Sequence, residues 1–336
     1  MINLLVLLTK REPPSSRLRF RNCEGEFKKN NIIPVFIPIP SGPLERLNLF
    51  LMCRKFDVVI IQKKTSFREF ELRLMKLLNP NIIFDFDDAV MFHELEHGNP
   101  LSGKNMVKFL RTIKYCKAVV AGNKFLAEFA EQNCPSVYVT PTPVDTENHK
   151  IKDYSIKNQD ILIGWIGVSG NLKYLEKIKT ALKEISSKHE NLKLKIISNE
   201  PLSMDGVRTE FKKWNEKEET DDLRSLDIGI MPLDDSLWAR GKCGYKILQY
   251  MGVGIPVVAS PVGINSEFIM QGKNGYLADT VEEWIEYLEL LINDSVKRKK
   301  MGLRGREIVE NQYCVKKYSE KYSKVIRGIL NNSETI

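Results

Sequence analysis

The sequence predicts an α/β protein made of two parallel-sheet halves joined end to end. Three observations carry this. Short apolar, β-branched runs alternate with longer segments of helical period, a polar stretch with two prolines interrupts the alternation, and 336 residues exceed what one hydrophobic core normally holds. In the first half the strand-like runs are residues 4–8, 32–37, 58–62, 82–86, 118–121 and 137–140. Residues 67–78 and 104–116 carry apolar side chains at three- and four-residue spacing with Lys and Arg opposite, the pattern of amphipathic surface helices. Residues 140–159 show no sustained apolar period, so the linker is expected there, between an N-terminal domain over 1–150 and a second over 160–310. The alternation then resumes, with strands expected at 161–166, 193–198, 228–231 and 255–259 and helices at 171–188, 219–226, 244–251 and 282–291. Beyond Asp294 a helical period runs to about Leu330, broken near 311–314.

Composition narrows the class. With 43% hydrophobic and 28% charged residues and a mean hydropathy of -0.27, the chain reads as globular and soluble. The apolar run 2–8 is far shorter than the roughly 20 residues of a membrane span, and no basic residue precedes it as in a secretory signal. Six cysteines without C-x-x-C spacing suggest a reducing, cytoplasmic setting. The net charge is +8, of which +6 falls in residues 1–150. Solvated lysines and an anionic partner, such as lipid at the inner face of a membrane, both fit that excess. No aromatic-interleaved basic motif or zinc-finger spacing points to nucleic acid.

Several motifs carry chemistry. HELEH at 93–97 satisfies the H-E-x-x-H zinc template, but Gly98, Asn99 and Pro100 end any helix at the second histidine, so no metal site is expected. For His93 and Glu94, a substrate-facing role and plain loop polarity both stay open. The strand-like IIFDFDD ends in acids where ligands of parallel sheets bind, so Asp85, Asp87 and Asp88 are expected at a cleft, where a carboxylate contacts an acceptor hydroxyl or, for Asp88, caps a helix. After the first strand, Arg17 and Arg19 at i and i+2 cannot share a helix face. Arg17, nearer the turn, is the one expected to face the ligand.

The richest stretch is MPLDDSLWARGKCGYKILQYMGVGIPVVASPVG, residues 231–263. Gly241 and Gly244 allow close backbone approach, a helix near Gly244 offers its positive end, and Arg240, Lys242 and Lys246 supply cations for a diphosphate. Gly263 closes a loop at the carboxyl end of a buried strand, and Glu267 either caps the next helix or holds a ribose hydroxyl.

GVGIPVVASPVG followed by NSEFIMQGKNGYLA resembles the signature of the GT-B glycosyltransferases of family 4, the retaining group 1 type. DFDD, AVVAGNKFLAEFA, VYVTPTPVDT, IGWIGVSGNLKYLE and DIGIMPLDDSLWARGKCGYKILQYM extend the resemblance along most of the chain. The resemblance implies two Rossmann-like, doubly wound domains facing across a cleft, nucleotide held by the second, acceptor by the first, and a final helix over 311–330 crossing back. It matches the family's leaving-group lysine to Lys173, whereas the preceding arginine is replaced near Ser169. The family's E-x7-E carboxylates fall on Gly241 and Gln249, so both are missing, and only the Gln249 amide could still meet a ribose.

The function this implies is transfer of a hexose, with retention, from a UDP- or GDP-sugar to a glycan or lipid-linked acceptor in polysaccharide biosynthesis, without metal or other cofactor. Lys242, Lys246, Asp87 and Asp88 would be catalytic. Lys173, Arg240, Gly241, Gly244, Gln249, Gly263 and Glu267 would hold the donor, with Arg17 and His93 on the acceptor side. The alternative, a catalytically inactive glycosyltransferase-like binding subunit, follows from the missing carboxylates.

Overall fold

The computed structural model describes residues 1–9, 14–92, 103–156 and 159–331. The chain forms two compact units. The first comprises Met1–Pro143, the tetrapeptide Arg240–Cys243 and the segment from Val315 on. The second comprises Val144–Ala239 and Gly244–Cys314.

Unit 1 contains β1 (Ile2–Leu8), β2 (Ile32–Pro38), β3 (Val58–Gln62), β4 (Ile82–Phe86), β5 (Ala118–Ala121) and β6 (Val137–Val139), in the order β2-β1-β3-β4-β5-β6. All neighbours are parallel. The strands β3, β4 and β5 are buried along their whole length, which is why they read as continuous apolar runs. One face packs Leu4, Val6, Ile60, Ile83 and Val120 against Phe20, Phe27 and the inward side of the last helix, Val315–Asn331, through Tyr318, Tyr322 and Ile326. On the other, Phe109 from the helix Lys104–Ile113 meets Phe84 and Phe86.

Unit 2 contains β7 (Ile161–Ile166), β8 (Leu192–Ser198), β9 (Thr209–Lys213), β10 (Ile228–Met231), β11 (Val257–Ala259) and β12 (Gly275–Leu277), in the order β12-β11-β10-β7-β8-β9. This sheet too is parallel throughout, with one hydrophobic cluster on each face. The strand order reverses between β7 and β10 in unit 2 and between β1 and β3 in unit 1. In such sheets the carboxyl ends at the reversal form a ligand crevice.

Four regions gain detail that the sequence did not show. The helix expected over 171–188 is a 3-10 stretch, Ser169–Ile178, followed by the α-helix Lys179–Lys188. Its buried Leu172, Leu175 and Ile178 recur every third residue, matching the three-residue turn. The edge strands β9 and β12 were not foreseen, since TEFKK has no apolar run and GYL is too short to show a period. The break near 311–314 is a π-helical turn, Val309–Tyr313, closed by a parallel bridge from Cys314 to Val144. Finally, the expected linker is bound down from Val144. The buried Arg306 guanidinium donates to the carbonyls of Thr146 (2.6 Å), His149 (2.5 Å) and Gly252.

Asp85, expected at the cleft, is instead fully buried in an ion pair with the arginine that sequence reasoning passed over. Arg19 Nε and Nη2 donate to Asp85 Oδ1 and Oδ2 at 2.9 and 2.6 Å, and Nη1 donates to the Thr140 carbonyl at 2.9 Å. Tyr322 of the last helix donates to Asp85 Oδ2 at 3.2 Å. Burial pushes the Asp85 carboxyl up, and the Arg19 guanidinium opposes that shift. Asp85→Ala should destabilise the protein by about 3–5 kcal/mol, because it strands a buried cation. Tyr322→Phe removes one of several donors and should cost about 1 kcal/mol. Urea midpoints of the two variants check the difference.

Candidate active site

At the reversal in unit 2, the helix Tyr245–Gly252 lies against β7 and β10. The Ile166 amide donates to the Tyr250 hydroxyl at 3.1 Å, and that hydroxyl donates to the Ile230 carbonyl at 3.4 Å. Burial pushes the phenol well up, so the hydroxyl stays protonated. The helix begins at Gly244, whose φ of +61° suits glycine, and its side chain-free Cα sits tightly on Phe268 and Ile264. Lys246, in the first turn, places its ammonium 5.0 Å from the ring centre of Trp165, the penultimate residue of β7. The helix N-terminus and Lys246 therefore stand at the carboxyl end of the strands.

Around that end lie Lys173, exposed on the 3-10 stretch with its ammonium 5.4 Å from the Tyr174 ring, Gly263 in the loop after β11 with φ +55°, and the exposed Glu267 on the short helix Asn265–Phe268. The β11 loop is held by Ser260, whose hydroxyl accepts from the Leu233 amide at 3.0 Å and whose carbonyl accepts from Asn265 Nδ2 at 3.0 Å.

Gln249 differs from the ribose-facing role expected of it. It is buried, and its Nε2 donates to the buried Glu219 Oε1 at 3.1 Å, while Trp214 Nε1 donates to the other Glu219 oxygen at 2.7 Å. A glutamate at 249 would oppose Glu219, so this chain's departure from E-x7-E has a local electrostatic cause. Gly241 has a steric one: a Cβ there would lie 2.5 Å from Ala89 Cβ, leaving no room for a carboxylate side chain.

Arg240, Gly241 and Lys242 are not continuous with this arrangement. Arg240–Cys243 groups with unit 1, and the helix starts only at Tyr245, so Lys242 and Lys246 do not form an i,i+4 pair on it. Asn123 clamps the tetrapeptide: its Nδ2 donates to the carbonyls of Arg240 (3.1 Å) and Lys242 (3.0 Å), while its Oδ1 caps the helix Lys124–Glu131 by accepting from the Leu126 amide at 2.8 Å. Cys243 is buried beside Asp87, and burial keeps its thiol protonated.

In unit 1, Asp87 and Asp88 follow β4 and share a cation. Lys63, at the end of β3 with φ +55°, brings its ammonium to 2.6 Å from Asp87 and 2.5 Å from Asp88. Burial works against the Lys63 charge, yet the two carboxylates hold its pKa above the ordinary lysine value. Among the described residues no helix starts at Asp88, which sits in a turn. Arg17 is half-buried at the start of the π-helical turn Arg17–Arg21, whose inward position belongs to Arg19. His93 and the rest of HELEH lie outside the described residues.

Residues 161–294 match the family model Glycosyl transferases group 1. The fold of the whole chain is similar to that of Anabaena HepE in complex with UDP-glucose, with a TM-score of 0.74 at 12% identity over 98% of this chain and 100% of that one. The chain has the GT-B fold. The group 1 region holds Lys173, Gly244, Lys246, Gln249, Gly263 and Glu267. Among curated proteins, an alpha-1,3/1,6-mannosyltransferase of Dictyostelium discoideum is 31% identical over 87 residues, 26% of this chain and 21% of its own length. The capsular polysaccharide biosynthesis glycosyltransferase CapM of Staphylococcus aureus is 23% identical over 56% of this chain and 52% of its own. The chain thus spans about a fifth to a half of these relatives.

Lys63, Asn123 and Tyr250 escaped sequence reasoning. Asn123 before a helical run signals a cap, but its clamp role has no local signature. Asn123→Asp should keep the cap, lose both donors and destabilise by about 2 kcal/mol, with faster amide exchange across 240–243. Unchanged exchange there would show the clamp idle. Gln249→Glu should be near wild type around pH 4.5, where the new pair shares a proton. Its deficit should grow as pH rises and level off above the raised pKa, by about 1.4 kcal/mol for each pH unit of the rise. Thermal melts from pH 4.5 to 8 measure it.

Proposed function

We propose that this chain is a glycosyltransferase that moves a hexose from a nucleoside-diphosphate sugar, UDP- or GDP-linked, to a glycan or lipid-linked acceptor, with retention and without a metal ion. The observation that carries this is the N-terminal turn of the helix Tyr245–Gly252, with Lys246, at the carboxyl ends of β7 and β10. The complex of HepE with UDP-glucose supports a UDP-sugar donor, and the CapM similarity supports a glycan product.

As the bond from sugar to β-phosphate lengthens, negative charge gathers on the diphosphate and positive charge on the sugar ring. Lys246, Lys173 and the amides at Gly244 and Gly263 are the groups that meet the first. Arg240 and Lys242 add cations from their own loop, with Gly241 allowing its close approach, and Glu267 takes a ribose hydroxyl. Asp87 and Asp88, held by Lys63, orient the acceptor hydroxyl together with Arg17 and His93. Lys63 already holds both carboxylates, so their part is to position the acceptor hydroxyl. The basic N-terminal half suits work at the cytoplasmic face of a membrane.

Saturating UDP or GDP, at about 100 times the dissociation constant, should stabilise the protein by about 2.7 kcal/mol in thermal melts, and Lys246→Ala should abolish most of that gain. No response to any nucleoside diphosphate would overturn the reading. The crowding of Gly241 by Ala89 favours a second reading, a binding subunit without activity. Release of UDP or GDP from a nucleotide sugar by the purified chain decides against it.

A further inference from the structure

At the opposite, amino-terminal end of the unit 2 sheet lies a feature the donor chemistry leaves unused. A groove of about 710 Å³ is lined by Gly272 and Lys273 in the turn before β12 and by Val296, Lys297, Lys300 and Arg304 of the helix Ser295–Ile308, with Asp294 and Glu307 the acids in its wall. This helix has an inward side built for close packing. A Cβ on Gly302 would overlap the Gly254 carbonyl, and one on Gly305 would lie 2.9 Å from Met251 Cγ. Those contacts leave Lys299 and Lys300 exposed and Lys297 and Arg298 half-buried. Asp294 caps the helix by accepting from the Lys297 amide at 2.8 Å.

The cations divide into two groups. Arg306 is buried on backbone carbonyls, Arg298 donates to the carbonyls of Leu291 and Ile292, and Arg304 pairs with Glu307. Lys273, Lys297, Lys299 and Lys300 have no carboxylate within 4.0 Å among the described residues, so their charge is uncompensated. Beside them, apolar side chains stand in solvent, Val296 at 76% and Leu303 at 38% exposure. Uncompensated lysines around protruding aliphatic residues fit a surface of the reverse construction, phosphate outside and hydrocarbon beneath.

We propose that this groove and the helix Ser295–Ile308 form a docking surface for anionic phospholipid headgroups at a bilayer. Lys273, Lys297, Lys299 and Lys300 meet the lipid phosphates, and Val296 enters the headgroup layer. Docking at the amino ends of the strands leaves the carboxyl-end site of unit 2 open to substrate. The proposal gives the membrane contact suggested above a location in unit 2 rather than in the basic N-terminal half, and it does not depend on the donor assignment.

Sedimentation with vesicles of phosphatidylcholine and phosphatidylglycerol at 3:1, in low salt and without substrate, tests it. The wild-type chain should bind, and should release as salt rises. The double variant K297E/K300E should bind at least about tenfold more weakly with an unchanged melting temperature. K104E/K108E, on the helix Lys104–Ile113 of unit 1, should bind like wild type. Retained binding by K297E/K300E, or equal binding to pure phosphatidylcholine, overturns the proposal. So does stabilisation by inorganic phosphate without vesicle binding, which would reassign the groove to a soluble anion.

Discussion

The Tyr250 hydroxyl pins one short helix of unit 2 to its sheet. By accepting from Ile166 and donating to Ile230 it bridges the two strands between which the order reverses, inside a core where an unmet polar group would be costly. The parallel crossover from β10 to β11 sets which end of the helix Tyr245–Gly252 faces the carboxyl ends of the strands, and the bridge holds it there. The positive pole of the helix, its glycine cap and Lys246 follow from it. A helix run the other way would present carbonyls to an incoming anion, and the same lysine would be of little use.

Charge in this protein is placed by two different rules. In the interior of unit 1, Arg19 donates two hydrogen bonds to Asp85 and others to Thr140 and Thr142, and Tyr322 donates a further one to Asp85. Such an arrangement fixes the last helix against β4 and offers nothing to a ligand. At the strand ends the groups are only partly matched: two carboxylates share Lys63, whose backbone adopts a conformation uncommon outside glycine. Surplus hydrogen-bonding capacity in a strained loop is the property expected of a surface that handles a polyhydroxylated molecule.

The strands were legible wherever both faces are buried. VVIIQ and AVVA are continuous apolar runs because β3 and β5 meet protein above and below. β9 carries Glu and two Lys because it lies at an edge, where charge discourages further pairing and erases the apolar signal. The rule that Arg17 and Arg19 cannot share a face was sound. Which one points inward depends on the phase of the widened π-helical turn, and that phase is set by Phe20 and Leu18 packing rather than by spacing. The glycine-rich run was recognised as a site, but neighbours in sequence were taken for neighbours in space. Residues 240–243 answer to Asn123, over a hundred positions earlier, and Gln249 answers to Glu219. Neither pairing leaves a trace in local periodicity.

The chain enters unit 1 three times: at its start, again for Arg240–Cys243, and finally with the helix Val315–Asn331. Tyr318, Tyr322 and Ile326 of that helix cover the sheet laid down by the earliest strands. During synthesis the first sheet therefore leaves the ribosome with an apolar face bare, and it stays so until unit 2 has been made and the last turns emerge. Unit 2, whose core is drawn from one stretch apart from the excursion of four residues, can close first. Folding order would then run against translation order, and a stop codon just after Cys314 would spare the later unit while leaving the earlier one unfinished.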